Sequence, residues 1–397
     1  MQQKYNSGSD RGWNFWFLLP IYPYNQRQTI RREIVKDTIW CFEQVQGILY
    51  AVVTIRMTII KLNSGGLLVY APIAPTKECL NLVQELEGKY GQVKYIIHPT
   101  SSGLEHKIFV PSFARNFPQA QIFVAPNQWS FPFNLSLSWL GFPSERTFIL
   151  SENNRLSAPF ADEFDYHVLS FKLSKGYFSE VAFYHWRSQT LLLTDTIVSV
   201  PEKPPEVLEL EPYPLLFHAR DNGLEKIEDN EVNRIKGWQR ICLFALYFRP
   251  NSVEPLNIIS LIKQAFKAPD KSKKAYFGLF PFLWKPEWKE SFEMLRANGR
   301  PFVAPILQNL ILPQDPPQVI KWVEKVKQWK FKQIIPCHFQ APISTNTEQF
   351  REAFTFLEKT PKTIINKWFT EGDLKFIQDL ENQLIKLKIT TPRKEKV

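Results

Sequence analysis

This sequence has no CxxC pair, no long apolar run and no basic leader, and each absence excludes a class of protein. Cys41, Cys79, Cys242 and Cys337 stand far apart in a 397-residue chain that is large enough to bury a core without staples. That pattern fits free thiols in a reducing compartment rather than a disulfide framework. No stretch approaches the roughly 20 apolar residues of a membrane span. The opening MQQKYNSGSDRGWNFWFLLPIYPY carries an apolar run from Trp13 to Pro20, but it lacks the basic lead and small-residue cleavage site of a signal peptide. Internal repeats and low-complexity tracts are absent as well. The expectation is a cytosolic-type protein.

The chain is 44% apolar and 14% aromatic, enough for a large core, and its formal net charge is +10. One decorated α/β domain is expected. A basic, aromatic-rich chain suits a peripheral membrane surface or an acidic protein partner. Nucleic acid is not expected, because the lysines are dispersed except in TPRKEKV and KAPDKSKKAYF and no nucleic-acid signature occurs.

The β-branched and aromatic runs IWCFEQV, GILYAVVTIRMTIIKL and GGLLVYAP read as successive strands from Ile39 to Tyr70, broken at Gly47 and NSGG. TKECLNLVQELEGKYG follows as a helix, with Thr76 as N-cap, Leu80, Val83 and Leu86 at helical spacing, and Gly88 or Gly91 as its stop. A strand enters YIIHPTSSGLEHKIF, a helix-like HKIFVPSFARNF follows, and AQIFVAP is the next strand. This β-β-α-β-α-β order is half of an α/β sandwich. Residues 127 to 158 read as polar and irregular. Strands resume in FDYHVLSFKL, FSEVAFYHWR and QTLLLTDTIVSV; PEKPPEVLELEPYP reads as a connector, and residues 215 to 300 as mainly helical. The helix PPQVIKWVEKVKQW leads to a short strand, KQIIPCHF, and TEQFREAFTFLEKT and GDLKFIQDLENQLIKLK are terminal helices.

An acid and histidine in SSGLEH, a strand end LLLTD and a strand end PCH, in this order, resemble the metallo-β-lactamase superfamily over roughly residues 38 to 345. The resemblance implies a four-layer αββα sandwich with two metals at the mouth between its sheets. Their ligands come from an HxHxDH fingerprint, a distant histidine, a strand-end aspartate and a final histidine. On that register Ser101 and Gly103 stand where the first two histidines belong, Glu105 replaces the aspartate, and His106 is kept. Tyr177 in KGYFSE takes the place of the distant histidine, Asp195 matches the strand-end aspartate, and His338 in IIPCHF matches the final histidine. YAPIAPT replaces the opening element. The first metal site thus loses all its imidazoles, while Glu105, His106, Asp195 and His338 correspond to the second. Two imidazoles with two carboxylates suit a single Zn²⁺, Fe²⁺ or Mn²⁺. Such an ion acidifies water, the basis of a single-metal hydrolase. Glutamate, however, is one methylene longer than aspartate, a shift of roughly 1.5 Å in a site that tolerates tenths. The alternative is a relic network, free of metal, whose hydrogen bonds fix the loops.

Other polar residues carry paired readings. His98 before Pro99 reads as loop structure, and His167 and His185 as strand packing. His218, with Arg220 and Asp221 in LLFHARDNG, is either a further ligand cluster at the mouth or part of a buried salt-bridge network. Cys337 beside His338 is either a metal-poised thiol or a packed strand cysteine. The Asp195 to His338 interval is longer than in the family, and the helical block from about residue 200 to 325 reads as an insertion beside or over the mouth. Within it YFGLFPFLWKPEWKESF is crowded with aromatics from Tyr276 to Trp288. They form a partner or membrane contact if exposed, and the core of the insertion if not. The expected division is an N-terminal extension (1–38), the sandwich with its insertion (39–345) and C-terminal helices packed on it (346–397).

PIYPYNQRQTIRREI, RMTIIKL, APIAPTKECL, PTSSGLEHK, FHARD, KGWQRI and IIPCHF are similar to an uncharacterised branch of the superfamily found in cyanobacteria and plastids. That resemblance implies an oxygenic phototroph, a cytosolic or stromal compartment and a peripheral place at the thylakoid. It implies no established activity. The expected function is a binding or assembly factor linked to photosynthesis, with a single-metal hydrolase as the alternative. Binding of a small anionic or tetrapyrrole-like ligand is a third class.

Overall fold

The computed structural model describes residues 8–12, 22–23, 26–101, 103–128, 134–358, 369–387 and 392–393. The Trp13 to Pro20 run and the TPRKEKV tail, apart from Pro392 and Arg393, lie outside the described residues.

Seven strands form the first sheet in chain order: β1 (Ile30–Val35), β2 (Ile39–Ile48), β3 (Ala51–Lys61), β4 (Leu67–Tyr70), β5 (Val93–His98), β6 (Gln121–Val124) and β7 (Thr147–Ile149). β1 to β4 pair antiparallel and β4 to β7 parallel. Between β4 and β5 runs α1 (Lys77–Tyr90), capped as expected by the Thr76 side chain, which accepts from the Cys79 N–H, and stopped at Gly91. The short α2 (Val110–Ala114) precedes β6.

The chain then builds β8 (Phe164–Lys172), β9 (Tyr177–His185) and β10 (Thr190–Leu192). From there it passes through α3 (Glu206–Glu209), α4 (Tyr213–Ala219), α5 (Glu231–Tyr247), β11 (Val253–Pro255), α6 (Ile258–Lys267), β12 (Phe282–Trp284), α7 (Trp288–Arg296) and α8 (Pro316–Val326). It returns as β13 (Gln333–Ile335) and β14 (Ile343–Ser344), followed by α9 (Thr347–Glu352) and α10 (Glu371–Lys386). The second sheet has the order β14-β13-β10-β9-β8.

Alternation along the strands gives each sheet two apolar faces. The inner faces meet: Ile39, Cys41, Ile60, Tyr70 and Ile97 pack with Tyr166, Val181, Phe183, Leu192 and Ile335. On the outer face of the first sheet, Cys79, Val83, Leu86 and Phe113 cover Phe42, Met57, Ile59 and Ile96. On the outer face of the second, Val319, Trp322, Val323 and Phe350 cover Leu169, Tyr184, Leu191 and Ile334. These are the four layers of an αββα sandwich.

The helical segment has a core of its own, in which Trp238, Ile241, Phe280, Trp284, Trp288 and Phe292 close over Val45, Tyr50 and Val52 of the β2–β3 ribbon and over Phe339. At Gly237 a Cβ would stand 1.8 Å from the Leu215 carbonyl oxygen, so only glycine lets α5 cross α4 this closely.

Several local expectations need correction. The run GILYAVVTIRMTIIKL is not one strand, because Leu49 and Tyr50, at φ of 50° and 61°, turn it into the β2–β3 hairpin without a glycine at the turn, and β2 continues through Gly47. Residues 127–158 are not wholly irregular: β7 adds to the edge of the sheet. The connector PEKPPEVLELEPYP contains α3, whose Val207 and Leu208 are buried in the insertion core. β1 was not anticipated, since IRREIV hides an edge strand behind three charges.

Candidate metal centre

Three strand ends converge at the mouth between the sheets. β5 leads through Pro99 into a single π-helical turn, Gly103–Lys107, that presents Glu105 and His106. Beyond β10 lies Asp195, and beyond β13 lies His338. One ligand atom from each of Glu105, Asp195 and His338 lies within 4.8 Å of the other two. His338 Nε2 is 3.0 Å from Glu105 Oε2 and 3.2 Å from Asp195 Oδ1.

The support for His338 comes from the opposite sheet. Its Nδ1 is 2.9 Å from the carbonyl oxygen of Thr54 on β3. A carbonyl can only accept, so Nδ1 carries a proton and Nε2 is the atom aimed at the carboxylates. Two residues along β3, Arg56 donates from Nη2 to the Phe339 carbonyl at 2.6 Å and from Nη1 to the Pro336 carbonyl, gripping the loop on both sides of His338. Its Nε donates at 2.8 Å to the buried Glu43, which also receives Arg32. Burial opposes the Glu43 charge, but Arg56 and then Arg32 outweigh it and lower its pKa.

Asp195 is held by Glu180 of β9. Glu180 Oε1 accepts from Thr194 N and Thr196 Oγ1, both at 2.9 Å, and Oε2 accepts from Asp195 N at 3.3 Å and Thr196 N at 3.1 Å. Burial and then the charge of Asp195 raise the Glu180 pKa to about 7. Cys337 N donates to Thr194 O at 3.3 Å, tying the Asp195 and His338 loops together.

His106 is oriented in the same way as His338. Its Nδ1 lies 3.0 Å from the Pro72 carbonyl oxygen, and its Nε2 is buried without a hydrogen-bond partner among the described residues. Its ring centroid is 6.3 Å from that of His338. His106 stands outside the converging trio, so of the four expected ligands the structure brings three together and sets the fourth beside them.

The electrostatics follow from this packing. Burial works against ionised Glu105, but the His338 charge and hydrogen bond prevail and draw its pKa down to about 2. Burial likewise opposes His338 charging, and the two carboxylates reverse it, raising its pKa well above the usual value. Without an ion the trio is an imidazolium between two carboxylates. With Zn–ligand bonds of 2.0–2.1 Å, tetrahedral ligand atoms sit about 3.3 Å apart. The 3.0 and 3.2 Å separations thus suit an ion as well as they suit hydrogen bonds. What favours an ion is the outer arrangement: both imidazoles anchor Nδ1 to a backbone carbonyl and present Nε2, as ligating histidines do.

Ser101, Gly103 and Tyr177, which the sequence resemblance sets at a first metal site, have structural partners or places in the loop. Ser101 N donates to Ser179 O at 2.9 Å, Ser179 N donates to Ser101 Oγ at 2.9 Å, and Ser101 Oγ donates to Tyr177 O at 3.3 Å. Ser101 thus stitches its loop to β9 at Ser179 and at the Tyr177 carbonyl. Gly103 begins the π turn.

The remaining candidates have structural partners. His218 Nε2 is 3.3 Å from Leu49 O, and its ring stacks on Phe282; burial lowers its pKa to about 3. Asp221 pairs with Arg240 and, at 3.0 Å, with Lys236. Arg240 also donates to the carbonyls of His218, Ala219 and Arg220, closing the end of α4. Cys337 is buried, and burial followed by the Asp195 charge pushes its thiol pKa well up, so it is a packed thiol. The aromatic block is largely core: Phe280, Trp284 and Trp288 are buried, while Phe277 is exposed. Glu180 and Arg56 were not foreseen as supports, although each is a lone charge inside an otherwise apolar strand, and that is a readable signal.

The layering defines a four-layer αββα sandwich of the metallo-β-lactamase-like kind, with Glu105, Asp195 and His338 together at its mouth. Within that class the chain belongs to the DUF4336 family, a domain of unknown function, whose model matches residues 36–356. No curated protein matches the chain. Similar solved structures include the metal-soaked Flv1 flavodiiron core from Synechocystis sp. PCC6803, 12% identical over 83% of this chain and 60% of that one, with a TM-score of 0.41. A flavo di-iron protein variant from Thermotoga maritima is 10% identical over 85% of this chain and 63% of that one, with a TM-score of 0.42. A metallo-β-lactamase from Pontibacter korlensis is 8% identical over 83% of this chain and 99% of that one, with a TM-score of 0.34. The match spans less than two thirds of both flavodiiron chains.

Proposed function

We propose that this protein keeps one metal position and has lost the other, and that it works as a binding or assembly factor rather than a two-metal hydrolase. The observation that carries this reading is the Ser101–Ser179 stitch, which spends the polar atoms of the first site on holding the loop to β9. Glu105, Asp195 and His338 would hold the ion, with His106 Nε2 beside them. A divalent ion held there would supply Lewis-acid chemistry. The chain's own contribution is to orient the donors: Thr54 and Pro72 fix the histidine tautomers, Glu180 sets Asp195, and Arg56 sets the loop of His338.

The family phrases carry the further proposal of a role linked to photosynthesis in a cyanobacterial or plastid compartment, with a protein or thylakoid-surface partner. Deleting the gene in a phototroph should then impair a photosynthetic complex, and Asp195→Ala should still rescue it. Failure of that rescue supports the second reading, a single-metal hydrolase, which the unpartnered buried Nε2 of His106 favours.

A further inference from the structure

A surface helix normally turns its large apolar residues inward, and α6 does the reverse. Its inner arc is Leu261, Gln264, Ala265 and, just past the helix, buried Ala268. This arc is small enough for the turn at Tyr276–Gly278 to press against it: a Cβ on Gly278 would meet Ala265 O at 2.9 Å. The outer arc carries Ile258, Ile259, Ile262 and Phe266, exposed by 75%, 68%, 48% and 76%. No residue of the helix is buried. At 100° per residue these four fall within about 100° of arc, with Lys263 about 40° and Lys267 about 80° beyond one edge of it.

The segment after the helix adds charge of the same sign. Between Ile258 and Leu279 stand Lys263, Lys267, Lys271, Lys273 and Lys274, with Asp270 as the one acid. Lys274 lies 3.5 Å from Glu211, whereas Lys263, Lys267, Lys271 and Lys273 pair with no carboxylate among the described residues. Phe277, exposed by 66%, stands in the turn that packs on α6. An exposed apolar ridge rimmed by lysines matches a bilayer that bears anionic headgroups: acyl chains take the ridge and the headgroups neutralise the rim. A second copy of the chain fits poorly, because pairing two such ridges brings the lysines together.

We infer that α6 is an in-plane anchor that docks this protein on an anionic membrane surface. The inference stands whether or not the mouth holds a metal.

The test is co-sedimentation of the full chain with phosphatidylcholine vesicles, with and without phosphatidylglycerol. Binding should require phosphatidylglycerol and weaken with salt. Ile262→Ser/Phe266→Ser and Lys263→Gln/Lys267→Gln should each lower partitioning by about tenfold, with an unchanged melting temperature because all four side chains are exposed. Equal binding to both vesicle types, or binding unchanged in the apolar variant, overturns the inference. So does a concentration-dependent dimer that Phe266→Ser dissolves, or an acidic protein that captures α6 while vesicles do not.

Discussion

Arg56 Nη2 donates to the carbonyl oxygen of Phe339 at 2.6 Å, a bond that crosses from the first sheet to the loop of the second and so fixes His338. Removing this guanidinium leaves Glu43 buried with only Arg32, whose side chain is 36% exposed, as its charged partner among the described residues. Arg56→Met is therefore expected to cost about 3–5 kcal/mol in urea unfolding. Glu43→Gln/Arg56→Met should recover part of that loss, since it removes the stranded charge.

Glu180 satisfies three successive backbone amides around Asp195. Glu180→Ala should cost about 1–3 kcal/mol for the unmet donors. It should also weaken metal binding by about 10–100-fold, because Asp195 loses its fixed orientation. Urea unfolding and metal titration read the two effects separately.

The buried histidines set a pH dependence. Burial holds His218 neutral with its pKa at about 3, and His185, lowered by burial and then by Arg187, at about 4. The unfolded chain takes up these protons near pH 6.5. The favourable difference is thus present in full above pH 6.5 and is lost as pH falls toward 3. Between pH 6.5 and 5 each histidine contributes about 2 kcal/mol of decline. The slope of stability against pH in this interval should be shallower for His218→Leu than for the native chain, whatever the variant's absolute stability.

Metal binding should release a proton. The carboxylates raise the His338 pKa above its usual value, so an ion must displace the Nε2 proton. Affinity should therefore rise with pH, and calorimetry in buffers of different ionisation enthalpy should detect the released proton.

The sandwich was legible because its strands are continuous apolar runs and α1 carries both its cap and its stop. The mouth was legible in part because Glu105, Asp195 and His338 each follow a strand, and strand ends on one edge converge. His106 stands beside the trio rather than in it, since sequence spacing places a residue next to a site without giving the reach of its side chain. β1 escaped because three of its six residues are charged, and the β2–β3 hairpin because its turn uses Leu49 and Tyr50 in place of glycine. The outward ridge of α6 escaped because periodicity shows that a helix has an apolar face, not what covers it.

The most direct test of the single-metal account is elemental analysis of untagged protein purified without chelator, beside His338→Ala. The account predicts one zinc, iron or manganese ion per chain and none in the variant. Two ions per chain, or none in the native protein, would contradict it.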